Sequence, residues 1–263
     1  MKKIYLLACL LAPILSPVTW AGEAEDKGLA IAKEADHRNQ GYGDNVTELT
    51  MTLIDADQST STREMDIKTL EVTAPGEGDK SLLTFSKPLD VQGTTLLTHA
   101  HVSEPDDQWL YLPALKRAKR ISSSNKTGAF MGSEFAYEDL IPQEVEEYHY
   151  RFLRDESCGP LQCFVVENRP NYSDSGYSRL VAWLDQAEYR LQKVEFYDPS
   201  DRLLKTLTAD GYKLYSDKYW RPQVLLMVNH QNGKSTRLNF HDYRFKTGLN
   251  EQDFAQSSLQ RVR

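Results

Sequence analysis

The chain has 263 residues, with 31 Lys plus Arg against 38 Asp plus Glu, and a net charge of −7. That acidic balance makes nucleic acid a poor partner, since phosphate binding needs a net basic face. Three cysteines and a 40% hydrophobic fraction leave room for a large core but not for a disulfide-rich scaffold.

Lys2 and Lys3 open the chain, Ile4 to Val18 are mostly apolar, and Pro13 and Pro17 interrupt them. Thr19-Trp20-Ala21 places small residues where a signal peptidase reads, so residues 1–21 are expected to be a cleaved signal peptide. The apolar run is too short and too proline-rich to anchor in a bilayer of about 20 residues' span. Export to the periplasm follows as the expected localisation. Without Lys2 and Lys3, 29 basic residues face 38 acidic ones, a net charge of about −9.

Residues 22–263 show no linker or composition break and are read as a single domain. In "EAEDKGLAIAKEADHRNQGYGDN", Ala24, Gly28, Ile31, Ala32 and Ala35 recur at helical spacing, and Gly41 and Gly43 end the pattern. Period two then takes over, from "NVTELTMTLIDAD" to "KSTRLNFHDYRFKTG", with turn signals such as Asp198-Pro199-Ser200-Asp201 and Gln231-Asn232-Gly233 between runs. Around ten or eleven strands at hairpin spacing predict one large antiparallel sheet. Accumulated strand twist must curl so large a sheet, and its concave face then needs a cover. The N-terminal helix and the region Pro113–Gln143 are the candidates.

Within that region "GAFMGSEFAYEDL" spans Gly128 to Leu140. Ser133 is expected to cap a short helix through Leu140, with Pro142 stopping it. Phe135, Tyr137 and Leu140 would face the sheet, and Glu134, Glu138 and Asp139 the solvent. This reading makes the segment a movable lid, with Gly128 and Gly132 allowing the motion. Phe130, Met131, Phe135, Tyr137 and Leu140, with Trp109 and Tyr111, are the candidate lining of an apolar cavity beneath it.

Cys158 and Cys163 flank Gly159-Pro160 and are expected to form a disulfide across a tight turn, consistent with an oxidising compartment. No catalytic cluster emerges: Gly132-Ser133 lacks the second glycine of a nucleophile elbow, and there is no phosphate-cradling loop or dinucleotide fingerprint. His99 and His101 share a strand face, but no third ligand has metal-site spacing. Neither a cofactor nor a metal is expected. Lys116, Arg117, Lys119 and Arg120 stand out in an acidic chain. They read equally as a contact for anionic headgroups or an acidic partner, or as charge that protects an edge strand.

The stretches "DQWLYLPALKRAKRI", "GAFMGSEFAYEDL", "RLVAWLDQAEYRLQKVEFYD", "GKSTRL" and "FKTGLNEQDFAQSSL" resemble the LolA-like family of periplasmic outer-membrane lipoprotein-sorting carriers, in its transporter-associated branch. The resemblance implies a mainly β fold, a half-open barrel covered by helices, with an apolar cavity for acyl chains. It implies no cofactor and no bond chemistry. Lipid, acyl-chain or lipoprotein cargo, an inner-membrane transporter partner and transient membrane contact are the implied associations. The alternative is a non-catalytic lipid-binding or sensor subunit of a transporter or signalling complex.

Overall fold

The computed structural model describes residues 19–102 and 104–260. The expected signal peptide falls outside these, except for the backbone of its last three residues. That backbone begins α1 (Thr19–Asn39).

The helix leads into a meander: β1 (Asp44–Ile54), β2 (Thr60–Leu70), β3 (Glu77–Lys87), β4 (Thr95–His101), β5 (Asp107–Leu112) and β6 (Arg117–Ile121). After a long crossing segment comes a second: β7 (Tyr148–Cys158), β8 (Leu161–Pro170), β9 (Arg179–Asp185), β10 (Leu191–Tyr197), β11 (Leu203–Asp210), β14 (Val224–Asn229) and β15 (Ser235–Phe245), with a small hairpin β12 (Lys213–Tyr215) and β13 (Tyr219–Arg221) standing off it. The fold is mainly β. Thirteen strands form one open antiparallel sheet in the order β6-β5-β4-β3-β2-β1-β15-β14-β11-β10-β9-β8-β7. The two meanders therefore join at a central seam between β1 and β15.

Among the described residues there are fifteen strands rather than the ten or eleven expected, for local reasons. Gly211, at φ +66°, turns the chain between β11 and β12, and Pro222, with no N–H to donate, separates β13 from β14. The basic run, in the region not read as strands, pairs with β5 as β6 and forms one edge of the sheet. At the other edge, α1 lies along β7. Gly28 permits this, because a Cβ there would stand 2.7 Å from the Phe152 backbone nitrogen.

Strand alternation sends side chains to two faces. The inner face gathers Leu49, Met51, Met65, Phe85, Leu96 and Leu110 from the first meander and Leu180, Ala182, Phe196 and Met227 from the second. The outer face carries two smaller clusters. In one, the C-terminal 3-10 turns Glu251–Phe254 and Gln256–Gln260 bury Phe254 and Leu259 on Leu82, Leu97 and Tyr111. In the other, Cys163, Val165, Val181 and Trp183 pack together beside Cys158. Cys158 and Cys163 are bonded across the β7–β8 turn, with Cα atoms 5.9 Å apart, as expected.

Candidate ligand cavity

The chain must pass from β6 at one edge to β7 at the other, and residues 122–147 do so along the inner face. The lid segment lies in this crossing. It is helical only in single 3-10 turns, Phe130–Gly132 and Glu138–Leu140, rather than in a helix starting at Ser133. Between them the chain folds back on itself: Phe130 N–H donates to the Phe135 carbonyl at 2.7 Å, and Ala129 bridges Ala136. Met131 (φ 50°) and Gly132 (φ 77°) make that reversal. The Ser133 hydroxyl, buried, donates to the Phe130 carbonyl at 2.7 Å instead of capping a helix.

This segment fills the first meander's half of the inner face. Phe130 is fully buried, stacked on Phe85 with centroids 5.7 Å apart and edge-on to Tyr137 at 5.5 Å. Burying one such ring contributes roughly 1.5–3 kcal/mol. Met131, Tyr137 and Leu140 pack against the same cluster. The space under Phe130 is thus core.

The acids expected on the wet side hold the segment down instead. Asp139 and Lys205, their side chains 4% exposed, pair at 2.5 Å. Lys205 also donates to the Glu134 carbonyl at 3.0 Å. Asp139 accepts from Tyr177 Oη at 2.7 Å and from Ala136 N–H at 2.6 Å. Glu134 accepts from Asn229 Nδ2 at 2.7 Å, and Glu138 from Gly176 N–H at 3.0 Å and Ser175 Oγ at 3.1 Å. Arg63 donates to the Met131 carbonyl, and Gln108 Nε2 to that of Tyr137 at 3.0 Å. Burial, with the adjacent Asp139 charge, pushes the Glu138 carboxyl up to about 7. The segment is a pinned plug, which argues against easy opening through Gly128 and Gly132.

The second meander's half is open. A cavity of about 870 Å³ lies between α1 and strands β8 to β14, within the range of roughly 300–1,000 Å³ typical of ligand sites. Its buried wall is apolar: Ile31, Val166, Leu180, Ala182, Phe196 and Met227. Phe135 and Asp139, at the far side of the plug, divide it from the packed half. The exposed lining is polar, with His37, Asn39 and Lys218 at the mouth. Asn168 Oδ1 is buried on the wall without a partner.

Of the residues expected at the cavity, Phe135 lines it. Phe130, Met131, Tyr137 and Leu140 belong to the packed half. Trp109 and Tyr111 point to the other face, under the C-terminal segment, because Gln108 and Leu110 take the inward positions of β5. His99 and His101 share that outer face. His99 Nε2 lies 2.8 Å from the Phe254 carbonyl, and His101 sits between Glu77 and Asp107. Among the described residues no three metal-type ligands converge. Lys116, Arg117, Lys119 and Arg120 are all exposed on or beside β6, and Arg120 pairs with Asp107. The wall from β8 to β14 and α1 was not singled out by periodicity, because strand residues lining a void and strand residues lining a core have the same pattern.

The chain is thus an open antiparallel sheet, half plugged and half hollow beneath an N-terminal helix, and solved structures share this fold. A family model described only as an uncharacterized protein matches residues 77–261. A domain from Vibrio parahaemolyticus described as an outer membrane lipoprotein-sorting protein is 53% identical, at a TM-score of 0.87, over 90% of this chain and 99% of that one. A DUF1329 family protein from Desulfovibrio piger is 26% identical, TM-score 0.85, over the same shares of each chain. A LolA superfamily protein from Nitrosomonas europaea, at 20% identity and a TM-score of 0.70, covers 88% of this chain and 98% of its own and shares the fold. No curated protein matches the chain. The chain belongs to the family of the outer membrane lipoprotein-sorting domain from Vibrio parahaemolyticus, and it shares the fold of the LolA superfamily protein.

Proposed function

We propose that this protein is a non-catalytic periplasmic carrier, which holds the acyl part of a lipid or lipidated protein in the cavity beneath α1 and moves it between envelope membranes. The apolar cavity of about 870 Å³ carries the reading. Each methylene taken from water gains about 0.8 kcal/mol, so an acyl chain of about ten methylenes gains on the order of 8 kcal/mol before ordering costs. The Cys158–Cys163 bridge supports an oxidising compartment. Membership of a family named for lipoprotein sorting supports the cargo class.

The β6 edge offers a contact for a membrane or a transporter. Leu115 beside it is 64% exposed and Leu89 is 87% exposed, and Gly93 lies against Pro113, bringing the two turns together. Basic side chains next to apolar tips suit an anionic bilayer surface or an acidic protein patch. Native mass spectrometry of protein recovered from its own periplasm should show a bound amphiphile that exchanges with lipid vesicles. Protein that stays empty, and takes up no amphiphile from vesicles, would overturn the reading.

A further inference from the structure

Among the described residues four lysines and arginines line the cavity; two of them pair with carboxylates, and Lys218, which is exposed at the mouth, bonds to a backbone carbonyl. Arg38 donates to Glu34 Oε1 at 2.7 Å, Arg190 to Asp185 Oδ2 at 2.7 Å, and Lys218 to the Gln40 carbonyl at 2.6 Å. Arg221 is different. Its Nη1 donates to the Trp220 carbonyl at 3.0 Å, and among the described residues no carboxylate pairs with it.

Its other neighbours are aromatic. The guanidinium carbon stands 5.3 Å from the Phe245 ring centre, 5.6 Å from Tyr219 and 5.8 Å from Tyr42. Burial lowers its pKa, and the groups packed round it are neutral tyrosines and a phenylalanine rather than acids. An arginine stays protonated regardless, so a partly desolvated charge remains without a counter-ion. Among the described residues, the buried side-chain atoms lacking a partner are Gln108 Oε1 and Asn168 Oδ1. The unpaired Arg221 nitrogens are therefore not sealed in protein; they open on accessible space beside the cavity they line.

We propose that Arg221 receives the anionic headgroup, a carboxylate or phosphate, of the amphiphile whose tail occupies the cavity. The planar fork of a guanidinium matches both groups bidentately. Its position also fits. Arg221, in β13, lines the same cavity as the exposed Lys218 three residues before it and the buried Leu180 and Met227. The nearby wall acids are turned to donors of their own: Asp79 accepts from the Tyr42 hydroxyl at 2.7 Å and Asp36 from Gln40 Nε2 at 2.7 Å. This assignment rests on the carrier reading and adds a headgroup preference to it.

The test compares palmitate, hexadecyl phosphate and hexadecanol, which share one tail, by calorimetric titration below their aggregation limits. The native protein should bind one or both anions about ten- to a hundredfold more tightly than the alcohol, the range for a charge-assisted hydrogen-bonded contact. Which anion gains more separates fatty-acid from phospholipid cargo. Arg221→Gln should lose that preference and keep its affinity for the alcohol, and Arg221→Lys should keep part of it. Thermal melts establish that each variant is folded. Equal affinity for all three probes, or a folded Arg221→Gln that keeps the preference, would overturn the assignment and leave Arg221 an aromatic packing residue. Native protein that binds none of the three would overturn the carrier reading along with it.

Discussion

Lys205 and Asp139 decide how firmly the plug sits. Both side chains are almost fully buried, and the lysine also faces the Tyr177 and Phe196 rings at 5.2 Å. Burying two charges gains little over an apolar pair of the same volume, but removing one partner strands the other. Lys205→Met should therefore cost about 3–5 kcal/mol, and the double change Lys205→Met with Asp139→Leu should cost clearly less than the sum of the two single changes. Urea unfolding of the four proteins measures this. Strictly additive losses would mean that the two charges act apart. By sequence alone, Asp139 belongs on the solvent face of the lid and Lys205 has no role beyond one charge among many on strands. Their pairing depends on a contact across 66 positions that no local spacing encodes.

At the scale of elements, much was legible. Alternation identified the long strands, the spacing of alanines identified α1, and Gly159-Pro160 between two cysteines identified a bridged hairpin. The crossing segment was legible as unusual, and less so as structure. Its aromatics suggested a cover, but Ser133, Glu138 and Asp139 follow the cap-and-acid pattern of a helix start; Ser133 bonds back to the Phe130 carbonyl instead, and Glu138 and Asp139 bond to partners far away in sequence. Tertiary contacts override local propensity there. The same segment also makes stability depend on pH. Burial, together with neighbouring acids, pushes Glu138, Glu144 and Glu147 each from 4.5 up to about 7. The folded state then holds more protons than the unfolded one between these values, so stability falls as pH rises from about 5 to about 7. His99, whose pKa burial lowers, acts in the opposite sense, but as one group against three. The midpoint of thermal unfolding should be higher at pH 5.5 than at pH 7.5 by about 3 °C or more, and Glu138→Gln should reduce the difference. A midpoint that rises with pH over this interval would show that these carboxyls are solvated.

For the whole molecule, the hollow half and the strand order lay beyond what spacing can reveal. Hairpin spacing pairs each strand with its neighbour in sequence and leaves open which strands form the seam and the edges. The pairing of β1 with β15 is the telling case. Asn45 meets Phe245 and Ile54 meets Ser235. On either side of that seam, every contact within a meander is between strands close in sequence. This geometry has a consequence for the order of assembly. Each meander can form from short hairpin closures, whereas the seam closes a loop of roughly 180–200 residues, which costs about 2.5 kcal/mol more in chain entropy than a ten-residue loop. The seam is therefore expected to form last. Conservative truncations at Leu49 or Leu238, which face the core there, should speed unfolding and leave the refolding rate nearly unchanged, while truncations such as Leu83→Ala within the first meander should slow refolding. Slower refolding from the seam variants alone would place that long closure at the beginning. Until it forms, two half-sheets would each present an unpaired central strand to any other chain in the compartment.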